Sequence, residues 1–169
     1  SNQTISELEL LNGKLEITNQ AYAIAKISGI EMCRSYNIQY KTNYKCLMPT
    51  NLYGPNDNYN LESSHFFAAA IRKLFEAKKN NQKSLTFWGT GNSKREAMFV
   101  DDLADACKHI IEMPRTKYEE LTRPQLSHLN VGSGVEYSIA ELANIVKKIT
   151  NYNGQIIFDD SKPEGPPRK

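Results

Sequence analysis

The chain has 169 residues, 40% of them hydrophobic, which is enough for one ordinary domain with a core and too little for two complete ones. Lys and Arg number 21 against 19 Asp and Glu, so the formal charge of +2 gives no polyanion-binding field, and nucleic acid is not an expected partner. No apolar run approaches the roughly 18 residues of a membrane span, no signal-peptide pattern opens the sequence, and Cys33, Cys46 and Cys107 lack the paired spacing of zinc or redox sites. These features lead us to expect a soluble cytoplasmic protein with reduced thiols, without a metal and without a membrane partner.

In chain order, a helix is expected from about Asn19 to Tyr36, where Ile24, Ile27, Ile30 and Cys33 recur near a 3.6-residue period and mark a largely buried face. "YKCLMP" (44–49) reads as a buried strand end stopped by Pro49. Residues 50–64 are rich in Asn, Gly, Pro and Ser and read as a long loop, of the kind that carries function. From Ser64, an amphipathic helix turns Phe67, Ile71 and Leu74 or Phe75 to the core and ends in lysines.

Leu85–Trp88 and Ala97–Val100 read as short strands joined through a Gly-Asn-Ser loop. The following helix carries Leu103, Cys107, Ile110 and Ile111 inward and stops at Pro114. Residues 115–125 read as charged and irregular, and "SHLNVGSG" as a strand with a Gly-rich turn. Ser138 and Glu141 form a capping-box pattern ahead of a helix with Leu142, Ile145, Val146 and Ile149 on one face, and "QIIFDD" closes as a strand. Helices alternating with strands argue an α/β fold with parallel crossovers.

The stretch "QAYAIAKISG" places Tyr22 and Lys26 four apart, on one face of the first helix. A cation beside a phenol favours the phenolate, which turns a poor acid/base group into a usable one, and the ammonium can donate to a ribose or phosphate. The same spacing also suits a tyrosine packed on a core beside a lysine reaching for solvent.

Four segments, "YAIAKISGIEMCRSYNIQY", "MPTNLYGPNDNYNLESSHF", "FWGTGNSKREAMFVDDLADA" and "HLNVGSGVEYSIAELA", together resemble the extended short-chain dehydrogenase/reductase family. The likeness is to its branch of GDP-4-keto-6-deoxy-mannose epimerase/reductases, and it runs in order over nearly the whole chain. The resemblance implies an NADPH-dependent enzyme that inverts the two carbons flanking a sugar ketone and then reduces the ketone. Tyr22 would protonate the developing alkoxide, and Lys26 would bind the nicotinamide ribose. Pro49, Thr50, Asn51 and Leu52 would run along NADP(H), and His65 would serve as the acid of epimerisation close to the cofactor. Lys73, Trp88, Arg95 and Glu164 would contact the GDP-sugar. For Trp88 and Arg95 the residue types agree, one offering an aromatic face to a base or sugar and the other a fork for diphosphate oxygens. A half-buried strand tryptophan and a salt bridge from Arg95 to Glu96 would fit the local sequence as well. The family's Tyr-x-x-x-Lys helix lies at a homodimer interface, so a homodimer is implied too.

The implied fold is the C-terminal part of an NAD(P)-binding Rossmann-like fold (1–60) plus most of the smaller α/β substrate-binding domain (61–169), with some segments returning to the first. Neither "GTGNSK" nor "GSGVEY" completes a Gly-x-Gly-x-x-Gly fingerprint. The family's catalytic serine and epimerisation cysteine, which precede its tyrosine, have no counterpart here. The expectation is therefore a portion of a longer enzyme, without the cofactor-binding half or the usual carboxyl end, and inactive alone. Lys73 stands where the family has arginine, Glu164 where it has aspartate and Asn56 where it has histidine. Those departures leave open a different GDP-4-keto sugar, such as a 6-deoxy-heptose, or a non-catalytic nucleotide-sugar binding module.

Overall fold

The computed structural model describes residues 5–61, 63–122, 127–165 and 167–168. In chain order its elements are α1 (Gln20–Tyr40), β1 (Cys46–Pro49), β2 (Asn51–Tyr53), α2 (Phe66–Lys79), β3 (Ser84–Trp88), β4 (Lys94–Phe99), α3 (Val100–Glu112), α4 (Arg115–Thr122), β5 (His128–Val131), β6 (Glu136–Ser138), α5 (Ile139–Thr150) and β7 (Gln155–Asp159). They fall into two units, one of Ser1–Thr50 with Asp101–Val131 and the other of Asn51–Val100 with Gly132–Lys169.

In the first unit β1 and β5 pair in parallel, Cys46 opposite His128 through Pro49 opposite Val131. Tyr118 on α4 and His128 on β5 are buried, as is Ile110 near the end of α3. Helix α3 is closed by Lys45, whose ammonium donates to the carbonyls of Ile110 (2.7 Å), Ile111 (3.0 Å) and Met113 (2.5 Å). A cation there offsets the negative end of the helix dipole and satisfies acceptors that the last turn leaves over. Ile111 itself is exposed, whereas Leu103 and Cys107 are half-buried, so the inward stripe is narrower than the sequence suggested.

Helix α1 departs most from expectation. It runs four residues further, to Tyr40, and none of its residues is buried. Tyr22, Ile24, Met32, Tyr36, Ile38 and Tyr40 are all exposed. Of the four positions that matched a helical period, Ile27, Ile30 and Cys33 are half-buried in line with Ala23 and Asn37, whereas Ile24 is exposed, so an inward face forms without any residue on it being fully buried. The helix stops where Lys41 turns left-handed (φ 56°) and Asn37 ties the end down, accepting from the Tyr44 amide at 2.8 Å and donating to the Tyr44 carbonyl at 2.9 Å.

In the second unit β4 is central to a three-stranded sheet, parallel to β2 and antiparallel to β6, and β3 pairs in parallel with β7. The core gathers Ala70, Leu74 and Ala77 of α2, Phe87 of β3, Ala143 of α5 and Tyr152, with Phe66 and Phe158 packed against it. Phe87 and Phe158 stack across the β3–β7 pair at 6.1 Å. Alanines and Leu74 form the inner face of α2, while Ile71 and Phe75 are exposed; on α5, Leu142 and Ala143 turn inward and Ile149 does not. Small residues win those inner positions because helix and sheet approach closely there.

Two strands and a helix appear where the sequence suggested loops. Strand β2 lies inside the polar stretch 50–64, and its order comes from pairing with β4 and from Tyr53, whose ring sits 5.7 Å from Phe67 and 5.5 Å from Phe99. Strand β6 is fixed by Lys94–Glu96 opposite it. Within the stretch expected to be irregular, 115–122 form α4, anchored by the buried Tyr118, and 123–125 lie outside the described residues. The capping box of α5 forms as its sequence implies, with Ser138 Oγ accepting from the Glu141 amide at 3.1 Å and the Glu141 carboxylate accepting from the Ser138 amide at 2.7 Å.

Candidate active site

Tyr22 and Lys26 are one turn apart on α1, with the Lys26 ammonium 5.5 Å from the centroid of the Tyr22 ring. Both are exposed, and Ala23 and Ala25 between and beside them add little bulk. Helical spacing alone brings phenol and ammonium together here, and no residue beyond this face is needed to hold them. Pro49 ends β1 exposed, and the Thr50 amide extends the ladder by donating to the Val131 carbonyl at 3.0 Å.

The remaining candidates belong to the second unit. Asn51 donates from its side chain to the Glu96 carbonyl at 3.0 Å, and Leu52, half-buried, lies opposite Met98. His65 is the N-cap residue of α2 in an extended conformation; its carbonyl accepts the Ala69 amide at 3.0 Å and its imidazole is exposed and makes no capping bond. Lys73 holds its ammonium 5.7 Å from the centroid of Phe87.

Trp88 precedes the turn 89–93, and Arg95 follows it one residue into β4, after Lys94. Trp88 closes β3 with 65% of its surface exposed. Arg95, opposite Tyr137 in the β4–β6 ladder, donates to the Lys94 carbonyl at 2.6 Å. Burial lowers the affinity of its guanidinium for its proton, and the negative charge of Glu164 works the other way. The Glu164 carboxylate accepts from Ser93 Oγ at 2.8 Å and from Thr90 Oγ1, which lies 3.0 Å from each of its oxygens. Those bonds hold its pKa below the ordinary carboxylate range, the Ser93 hydroxyl contributing most.

Both Gly-x-Gly stretches are thereby accounted for. Gly89–Thr90–Gly91 presents hydroxyl and amide donors to Glu164, and Gly132–Ser133–Gly134 presents the Gly134 amide (2.7 Å) and the Ser133 hydroxyl (3.3 Å) to Glu96. Each turn cradles a carboxylate of the chain itself, which is the chemistry that makes such turns suit phosphates elsewhere. Thr90, Ser93 and Glu96 were not singled out from the sequence for any such role. Their only sequence signal is the recurrence of Gly-x-Gly upstream of a polar residue.

Parallel β-pairs, helices between them and a Tyr-x-x-x-Lys helix leading into the first described strand define a Rossmann-like α/β protein of the extended short-chain dehydrogenase/reductase type. Residues 1–132 match the model of the NAD dependent epimerase/dehydratase family, and the chain belongs to that family. It is 48% identical over 167 residues to a GDP-L-fucose synthase of Escherichia coli, covering 99% of this chain and 52% of that protein. It is 46% identical, over the same share of this chain and 49% of the relative, to GDP-L-fucose synthase 1 of Arabidopsis thaliana. The chain thus spans about half the length of the curated relatives it matches. Among solved structures, a GDP-D-glycero-L-gluco-heptose synthase from Campylobacter jejuni, crystallised in the presence of NADPH, superposes with a TM-score of 0.87 at 32% identity, over 94% of this chain and 56% of that one.

Proposed function

We propose that this chain carries the acid/base helix and much of the sugar-nucleotide side of an NADPH-dependent GDP-4-keto-sugar epimerase/reductase. The activity of the whole protein is the synthesis of GDP-L-fucose from GDP-4-keto-6-deoxy-D-mannose. The observation that supports this most directly is the Lys26 ammonium set against the Tyr22 ring on an exposed helix face, in a chain 48% identical to a GDP-L-fucose synthase.

The donors of the exposed Lys26 ammonium fit ribose hydroxyls, and the neighbouring phenol fits a proton donor to a nearby carbonyl oxygen. When bound, NADPH supplies the hydride. Tyr22 gives its proton to the ketone oxygen as negative charge develops there, and Lys26 orients the ribose. His65, exposed at the start of α2, returns a proton to a sugar carbon during epimerisation. Trp88 covers a base or sugar face, Arg95 binds diphosphate oxygens, and Lys73 and Glu164 complete the substrate's surroundings. Pro49, Thr50, Asn51 and Leu52 follow the cofactor. The whole protein is a cytoplasmic homodimer in this reading, joined through the exposed apolar residues of α1, and light scattering tests the dimer.

The deciding experiment assays the full-length gene product for NADPH oxidation with GDP-4-keto-6-deoxy-mannose in deuterated water, with NMR of the product. Label at two ring carbons together with ketone reduction supports the reading. Reduction without label leaves a reductase only, and no turnover of this sugar rejects it. A second reading, the same chemistry on a GDP-4-keto-heptose, is favoured by the lysine at position 73 and by the likeness to the Campylobacter heptose enzyme. A lysine makes a point contact where an arginine grips two oxygens, which alters how the sugar nucleotide is held. Turnover of the heptose substrate in preference to the deoxymannose one would select it.

A further inference from the structure

The turn between Trp88 and Arg95 is held from three sides. Its first amide, that of Gly89, donates to the Asp159 carbonyl at 2.9 Å, and the Gly91 and Ser93 carbonyls accept the Ala140 and Ile139 amides, each at 2.9 Å. Its middle is held by a carboxylate. Thr90 Oγ1 reaches both oxygens of Glu164, the Thr90 amide lies 3.4 Å from one of them, and the Ser93 hydroxyl donates at 2.8 Å. Ser93 is buried and Glu164 exposed, so the hydroxyl is fixed from the protein side while the carboxylate keeps its outer face in water.

The segment that delivers Glu164 also lies along β4. The Lys94 amide donates to the Pro167 carbonyl at 2.8 Å, and Arg168 pairs with Glu136 at 2.5 Å. Gly165 passes so close to Arg95 that a Cβ there would come 2.8 Å from its Nη2. One short stretch of chain, 164–168, therefore touches the turn that follows Trp88 and the side chain of Arg95.

We propose that Thr90 and Ser93 are positioning residues of the nucleotide-sugar site, acting through Glu164 to fix the turn that sets the distance between Trp88 and Arg95. The inference rests on the reading of Trp88 and Arg95 as the groups that receive a nucleoside diphosphate. A flat aromatic face and a guanidinium grip one ligand well only when their separation matches that between base or sugar and diphosphate. The six residues between them, two of them glycines with positive φ, do not hold such a separation by themselves. Three donors converging on one carboxylate do. The resemblance assigns Glu164 to direct contact with substrate; its hydrogen bonds in the structure go to the turn, which gives it this second role.

Trp88 is the single tryptophan of the chain, so its emission reports on the turn without a label. In the 169-residue chain, Thr90→Val with Ser93→Ala should raise the amplitude of fast local Trp88 motion, read by time-resolved anisotropy, about twofold. The same variant should weaken GDP binding, read by calorimetry, by about fivefold or more. Thr90→Ser keeps the hydroxyl and should match the parent chain in both. Thr90→Val alone, at an exposed position, gives the same reading if the double variant does not fold. Trp88 motion unmoved by Thr90→Val overturns the proposal, and so does a Thr90→Ser chain that behaves like Thr90→Val. GDP binding that depends on Arg95 but ignores Thr90→Val overturns it too. If the parent chain does not bind GDP, or if Arg95→Ala binds it equally well, the functional reading fails instead, and the anisotropy still decides whether the hydroxyls fix the turn.

Discussion

The Tyr118 hydroxyl accepts the Cys46 amide at 2.9 Å, and on its other side lies within donating distance of the Cys46 and Ser127 carbonyls, at 3.2 and 3.1 Å. Cys46 opens β1 and Ser127 precedes β5, so one phenol from α4 satisfies backbone groups where both parallel strands begin. Tyr118→Phe leaves the ring in place and takes those partners away. We expect a loss of about 1–2 kcal/mol in a urea titration, the cost of stranding part-buried backbone groups, with secondary structure retained.

His128, opposite Cys46 in the same ladder, is buried, and its Nε2 has no hydrogen-bond partner among the described residues. Burial pushes its pKa below the ordinary histidine value, more than the charge of Glu7 pushes it back. A histidine depressed in the fold binds fewer protons folded than unfolded, so its contribution is complete above the unfolded value near 6.5 and is lost as pH falls through the folded one. Unfolding free energy should therefore drop between about pH 7.5 and 5.5, and His128→Gln should flatten that slope. Glu136 and Glu164, both held low by hydrogen bonds, add a separate loss of the same sign below about pH 4.3. A slope unchanged in His128→Gln would place the titration elsewhere.

Burial, and after it the Cys33 thiol alongside, push the Cys46 thiol up to about 12. At pH 8 almost none of it is thiolate, and thiolate is the form that alkylates. Iodoacetamide should modify Cys46 about a thousandfold more slowly in the native chain than in urea, where an ordinary thiol value near 8.5 returns. Peptide mass spectrometry over a time course checks this, with Cys107 read in the same samples.

In the full-length protein, Tyr22→Phe removes the phenolic proton and keeps the ring beneath Lys26. Reduction of the keto sugar should fall by about 10²–10⁴-fold while GDP-sugar affinity stays within about threefold. A loss confined to KM would deny Tyr22 its proton-donor role.

What could be read from the sequence was what is local. The Ser138–Glu141 box announced α5 because both bonds lie within four residues, and Tyr22 with Lys26 needed only helical spacing. Strand β2 was hidden because Asn51–Tyr53 owes its order to β4, more than forty residues away, and β6 owes its order to the same strand. Helix α4 was hidden because its two buried residues, Tyr118 and Thr122, are polar-tipped and do not make an apolar stripe. In the site, Trp88 and Arg95 were visible as residue types, but the carboxylate that joins the turn to the segment at 164 was not. Its partners are more than seventy residues apart in sequence.

Helix α1 is a rod about 31 Å long, half-covered along Ala23, Ile27, Ile30, Cys33 and Asn37 and open to water around the rest of its circumference. A helix covered only in part gains modestly over its intrinsic helix–coil balance, so the amides on its open side trade with solvent through local opening and not through global unfolding. Whatever comes to lie along α1, a second copy or another stretch of polypeptide, will slow that trade along one stripe of amides and leave the rest of the molecule as it was. The helix thus serves as a built-in gauge of assembly, readable residue by residue in heavy water.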